Sequence, residues 1–340
     1  MRKWALSVAM GLAGAALIAL AAVPGLFSVA PRFNDLTNNF RPEMQASVLA
    51  QLHTDLSGLS AAQAQFTTRT VPELATALHT TPTQLSAQLQ QQFPATWTGM
   101  QAVPAITTQF NQVLTLLNNE LGRFQQADSI PTASIRPTVI PWVLLGVGVV
   151  LLICAIFTRR WWRAGLAVVI GAVMVAAPLA LSLPAKASAA DLMNAHLKPV
   201  YTAQLVAGAK QSLATVDAMG TEMQSKVIPA LGQMLGMQPA QVQAYLDSNF
   251  PAVASALATF PASSAHFNSL VTAFESSLTD YNDINSTQFT PIVWTMVAVG
   301  GFLLLVGLLG MADLAVRRQR IGAAVAELPA VTIPAHHGAG

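Results

Sequence analysis

Four histidines stand in the polar stretches of the chain, His53, His79, His196 and His266. Imidazole is the side chain best suited to acid–base or metal work near neutral pH. None of the four has a second ligand or a nucleophile at a useful spacing. The sequence holds no G-x-S-x-G, H-E-x-x-H, P-loop or C-x-x-C pattern, so the usual hydrolytic, zinc, nucleotide and redox signatures are missing. A lone histidine at a surface or interface is the commoner occurrence, and the sequence leads us to expect no catalytic residue, no cofactor and no metal. The single cysteine, Cys154, lies in an apolar run and reads as a small packing residue, with palmitoylation the weaker alternative. Met219, Met223, Met234 and Met237 cluster in the second half of the chain. Adaptable methionines can line a lipid or peptide groove, although core packing gives the same pattern. Asn285-Ser286-Thr287 matches a glycosylation sequon, a short pattern of little weight in a chain that reads as bacterial.

The elements that carry these residues are apolar to an unusual degree. The 340 residues are 53% hydrophobic and 9% charged, against roughly 25% charged in a soluble domain. Four long runs lack charge, between Lys3 and Arg32, Arg136 and Arg159, Arg163 and Lys186, and Asp283 and Asp313. A crossing of the bilayer takes about 20 apolar residues. Spans are expected near Trp4–Val29, Val139–Phe157, Ala164–Leu183 and Pro291–Met311. The first is too long for the apolar region of a signal peptide, and its counterpart, the third, lies mid-chain, so it reads as a retained helix. Trp4, Trp142, Trp161, Trp162 and Trp294 fall at expected membrane boundaries, where indole rings prefer to lie. No Asp, Glu, Lys, Arg or His falls within the four spans, which weighs against a coupled pump or transporter. The small residues in the spans suit close helix packing.

Charge sets the expected orientation. Arg2, Lys3, Arg159, Arg160, Arg163, Arg317, Arg318 and Arg320 stand in three short segments against only Asp313 and Glu327. The longer segments Arg32–Arg136 and Pro184–Thr290 carry five basic against six acidic and four against seven residues. The positive-inside rule puts both termini and the Arg159–Arg163 turn in the cytoplasm and both long segments outside. The basic residues then anchor helices, and no nucleic-acid partner is expected.

The second half also repeats the first at an offset of 157. Pro72, Leu74, Leu78, Pro82, Gln84, Ala87, Leu89, Phe93, Pro94 and Ala95 recur as Pro229, Leu231, Leu235, Pro239, Gln241, Ala244, Leu246, Phe250, Pro251 and Ala252. The register holds through Pro104/Pro261, Phe110/Phe267, Asn111/Asn268, Thr115/Thr272 and Leu121/Leu278. The four histidines do not recur between the copies. The expected fold is therefore all-α: an integral membrane protein with four transmembrane helices and two tandem-duplicated extracytoplasmic helical domains. Its layout is a membrane helix (1–30), outer domain (31–138), membrane helix (139–158), cytoplasmic turn (159–163), membrane helix (164–184), second outer domain (185–290), membrane helix (291–312) and cytoplasmic tail (313–340). The tail from Gly322 onward is Ala/Pro-rich and reads as disordered.

Proline punctuates each outer domain. Pro72 and Pro229 start one short helix. Thr81-Pro82-Thr83-Gln84 and Gln238-Pro239-Ala240-Gln241 start another, the second with a poorer cap. Phe93-Pro94 and Phe250-Pro251 end it, and Pro104 and Pro261 are expected to open the last long helix. Pro199 is a candidate kink in the helix that enters the second outer domain.

The residues common to the copies are fold-making prolines, leucines and phenylalanines. That favours a non-catalytic scaffold or accessory subunit of a bacterial cell-envelope complex, one that moves lipids included. Its partners would be the lipid bilayer and other membrane or envelope proteins, or a second copy of the chain. A sensor signalling through a partner, or a small channel or transporter, are the competing readings. The Ala, Gln and Thr richness and the scarcity of lysine resemble proteins of high-GC bacteria, and the expected location is the bacterial plasma membrane.

Overall fold

A computed structural model describes residues 5–22, 25–132, 135–157 and 160–326. Among them the chain is all-helical, without a strand. In chain order the helices are α1 (Ala5–Ala22), α2 (Leu26–Phe40), α3 (Ala46–Gln65), α4 (Val71–Ala77), α5 (Pro82–Gln92), α6 (Pro94–Asp128), α7 (Val139–Phe157), α8 (Arg160–Ala180), α9 (Leu183–Leu197), α10 (Ala203–Glu222), α11 (Ile228–Leu235), α12 (Pro239–Asn249), α13 (Pro251–Ile284) and α14 (Phe289–Ala326). Single π turns, Phe66–Thr70 and Met223–Val227, join α3 to α4 and α10 to α11.

The spacing of these elements is regular. α2 and α9, α3 and α10, the two π turns, and α5 and α12 begin and end 157 residues apart, and α6 and α13 begin 157 apart. Among the described residues four have positive φ, and they pair at the same offset: Gly25 (65°) with Ser182 (54°), and His79 (53°) with Gly236 (66°). The π turns have a local cause. Pro72 and Pro229 have no N–H to continue the ladder. The residue before each donates five residues back, Val71 to the Phe66 carbonyl and Ile228 to the Met223 carbonyl.

Two compact units divide the chain. The span unit gathers Met1–Ala30, Ile135–Ala187 and Gln288–Gly340. It contains four helices long and apolar enough to cross a membrane: Ala5–Ala22, Val139–Phe157, Trp161–Ala180 and Phe289–Arg320. α1 packs along α7, and α8 along α14. Each pair closes on glycine. A Cβ on Gly14 would lie 2.7 Å from the Gly148 carbonyl oxygen, and one on Gly148 2.8 Å from that of Gly14. The other pair repeats this, with a Cβ on Gly171 2.7 Å from the Gly300 carbonyl oxygen. Backbones this close need residues without side chains. Met10, Leu17, Leu151, Cys154 and Leu303 fill the interior of the unit. Trp142, Trp161, Trp162 and Trp294 are all more than half exposed; Trp4 lies outside the described residues.

Four expectations about helix ends and kinks change. The helix of the first span ends at Ala22, and a new helix begins at Leu26 after left-handed Gly25. The last helix runs past Met311 to Ala326, so the segment after 312 begins as helix. The Asp313–Arg317 pair, one turn apart, and the alanine-rich stretch that follows favour its continuation; residues 327–340 lie outside the described residues. Pro104 and Pro261 do not open the long helices, which start at Pro94 and Pro251 and run through them. An interior proline costs about 3 kcal/mol. Burial of Met100, Val103, Ile106 and Phe110 along one face of α6 outweighs it. Pro199 falls in the turn after α9, which ends at Leu197.

The bundle unit comprises Pro31–Ser134 and Ser188–Thr287. The two polar segments thus share a single unit. α3 packs on α6 and α13, and α10 packs on the same two helices. Every long helix therefore touches one from its own segment and one from the other. Leu49, Leu52, Leu56, Leu114, Leu117 and Leu270 form the fully buried centre.

Candidate functional site: a cavity in the bundle

The bundle is held by contacts that pair residues 157 apart. Phe110 and Phe267 meet edge to face, with ring centroids 5.1 Å apart. The first turn of a helix leaves N–H groups unsatisfied, and each segment supplies the acceptor for the other. Gln65 Oε1 accepts from the Ala252 and Val253 N–H groups at 2.9 and 3.1 Å, at the start of α13. Glu222 Oε2 accepts from the Thr96 N–H at 2.7 Å, at the start of α6. Gln65 and Glu222 are themselves 157 apart. Burial pushes the Glu222 carboxyl up. The Thr96 N–H and Lys226 pull it down further and leave it below its ordinary value.

Two histidines face carboxylates across the segments. His266 Nδ1 donates to Asp55 Oδ2 at 2.8 Å, and the Asp55 side chain is only 6% exposed. His196 Nδ1 donates to Glu120 Oε1 at 2.7 Å, an oxygen that also accepts from Arg123 at 2.7 Å. Glu120 is 2% exposed, and its Oε2 has no partner among the described residues. At the counterpart of the second pair, Asn39 donates to Ser277 at 3.3 Å. The counterparts of Asp55 and His266 are Ser212 and Gln109. Each half thus meets the same position with different chemistry. His53 is exposed on α3, and His79 is the left-handed residue after α4. Among the described residues no three His, Cys, Asp or Glu side chains gather as metal ligands.

Sequence reasoning passed over Asp55 and Glu120. Both carried a legible signal. Asp55 stands within Leu52, Leu56 and Leu59, and Glu120 within Leu117, Leu121 and Phe124. An acid on the apolar stripe of a helix is a buried acid, and a buried acid needs a partner.

Asp55 borders an apolar cavity of about 70 Å³ between α3, α6, α10 and α13. Met100, Met219 and Met223 line it, with Phe66, Phe260 and Phe267. Two of the four methionines singled out by sequence are therefore in its wall; Met234 is exposed. Half-exposed Leu59, Gln63, Leu257 and Ser263 also border it, so it reaches the surface of the unit. Several of the repeat positions fall at the starts of helices. Pro72 and Pro229 sit in the first turn of α4 and α11, and Pro82 and Pro239 open α5 and α12. Buried Phe93 and Phe250 precede Pro94 and Pro251 with nearly identical backbone angles, φ −131° and −133°. Asn285 of the sequon ends α13, its carbonyl accepting from Asn194 at 3.1 Å.

A polar seam closes the bundle beside α9. Tyr201 and Tyr281 stack with centroids 4.1 Å apart, and the Tyr281 hydroxyl donates to the Asn194 carbonyl at 2.9 Å. Burial pushes the Tyr281 phenol up to about 12 and the Tyr201 phenol well above its ordinary value. No protein-family model, no curated protein and no solved structure matches the chain.

Proposed function

We propose that this chain is a non-catalytic scaffold or accessory subunit of a bacterial cell-envelope complex, one concerned with lipids included. In this reading the four apolar helices cross the plasma membrane, and both termini are cytoplasmic. The bundle is extracytoplasmic and arose by tandem duplication. One observation carries the proposal. What recurs at 157 residues is framework: the π turns, the left-handed turns, the helix starts and the reciprocal caps of Gln65 and Glu222, and the glycine crossings recur with Gly14 and Gly171 157 apart and Gly148 and Gly300 152 apart. The groups able to do chemistry, the His196–Glu120 and His266–Asp55 pairs, face counterparts of unrelated type. Neither histidine is hydrogen-bonded to a hydroxyl or thiol among the described residues, so neither pair is joined to a nucleophile. A duplicated shape with one-sided chemistry suits binding and assembly.

The test is affinity purification of the full chain from membranes in mild detergent, followed by mass spectrometry. Stoichiometric membrane or envelope proteins are the expected result. A chain that purifies alone and conducts ions in planar bilayers would sink the proposal.

A further inference from the structure

We propose that the bundle cavity holds the end of a single alkyl chain, from an amphiphile whose head is uncharged or zwitterionic. The first reason is an asymmetry between the halves. Where α6 meets α10, Met219 packs over Gly99 so closely that a Cβ there would lie 2.5 Å from the Met219 Cβ. The corresponding positions on α3 and α13 are Ala62 and Ala256, and both border the cavity. Two short side chains leave open on one side what a methionine fills on the other. A void in a packed interior forfeits contacts, and an occupant restores them.

The wall selects the occupant. Its methionines and phenylalanines are apolar, and methionine adapts its shape to a flexible guest. A volume of about 70 Å³ admits a file of about five water-sized groups, which suits a few methylenes and excludes a helix or a fused ring. The surrounding helices satisfy their own backbone groups, so no strand edge is offered to a peptide. Charge selects the head. Among the described residues no lysine or arginine lines the cavity, whereas Asp55 does. An anionic head at the mouth would meet a carboxylate already partnered by His266 and gain no cation.

This inference deepens the lipid-related reading above and rests on it for the bundle's access to lipid. The two fail separately, since the scaffold is judged by co-purifying proteins and the cavity by bound lipid. The full chain is placed in nanodiscs with one of three diazirine-bearing probes of equal chain length: a phosphatidylethanolamine, a fatty alcohol and a fatty acid. After irradiation the labelled peptides are mapped. Labels in the spans report ordinary contact with the bilayer and serve as the internal standard. Labelling at Met219, Met223 or Leu257 by the phospholipid or the alcohol is expected, at least five-fold above that by the fatty acid. The stronger of those two probes identifies the source of the chain. Ala62→Phe and Ala256→Phe fill the cavity and should each lower its label at least five-fold against the span label. Labels confined to the spans of the wild-type chain overturn the proposal, whether or not the variants fold. Cavity labelling that persists in folded variants also overturns it, and equal labelling by the fatty acid overturns the assignment of the head.

Discussion

His79 holds φ 53° at the position where the other half has Gly236 at 66°. A side chain in the left-handed region costs roughly 1–2 kcal/mol, and glycine adopts it freely. His79→Gly is therefore expected to stabilise the bundle by about 1 kcal/mol, read as a rise in the urea midpoint without a change in slope. Glu222 offers a second comparison between the halves, because Gln65 makes the same kind of cap without a charge. The Glu222 carboxyl is held below its ordinary 4.5. Its contribution to stability is complete above that value and is lost as pH falls through the lower, folded value. Glu222→Gln keeps an acceptor, so the expected loss at neutral pH is about 1 kcal/mol. The loss of stability below about pH 4.5 should become shallower in the variant. Denaturant melts between pH 3 and 7 measure both effects, and an unchanged acid slope would show that the Glu222 charge is not what the cap uses.

Helices in this protein are decided where propensity and burial disagree. Pro104 and Pro261 are the sharpest cases. Local chemistry predicts a helix start at each, yet each lies inside a helix of 35 or 34 residues, because the apolar stripe on both sides belongs to one buried face. Much else was legible from local signals. The Thr81 cap and its Gln84 partner form as expected, at 3.2 and 3.1 Å, and the Phe-Pro steps separate α5 from α6 and α12 from α13. Four apolar helices were legible by length alone. The partners of His196 and His266 were not, since Glu120 and Asp55 lie 76 and 211 residues away in sequence and only packing brings them near. The glycine crossings were legible as composition but not as pairs. They carry a prediction: Gly171→Leu forces a side chain into the α14 backbone, where a Cβ already lies 2.5 Å from the Leu304 nitrogen. Overpacking of this kind costs roughly 1–3 kcal/mol. Gly11→Leu, with nothing within 4 Å of its Cβ, should change little. Unfolding in mixed micelles with rising SDS compares the two, and equal behaviour would deny the crossing its role.

At the scale of the molecule the prediction concerns sidedness. Gln90 on α5 and Gln241 on α12 are exposed, and the only native cysteine, Cys154, is buried in the span unit. In the proposed topology, Gln90→Cys and Gln241→Cys should both react with a membrane-impermeant maleimide in intact cells. Protection of both until the cells are lysed would reverse the orientation, and reaction of one alone would break the equivalence of the halves. The sequence treated the polar segments as separate domains. That they share one unit could not be read from it, because a repeat of identical residues looks the same whether each copy folds on itself or interlocks with the other.

The Gly99–Met219 contact bears on that interlocking. Two copies of the first half, paired as the halves are here, would set Gly99 against Ala62 and leave a gap. Two copies of the second would set Met219 against Ala256, where a Cβ already stands. Only the mixed pair sets Gly99 against Met219, with Ala62 and Ala256 left to border the cavity. The halves are unlike partners, and discrimination of this sort is a difference between affinities. Produced as separate polypeptides in one cell, residues 1–157 and 158–340 are therefore expected to associate one to one in preference to either self-pair. Differently tagged halves, counted after purification, would reveal a preference for self-pairing if the complementarity had no consequence.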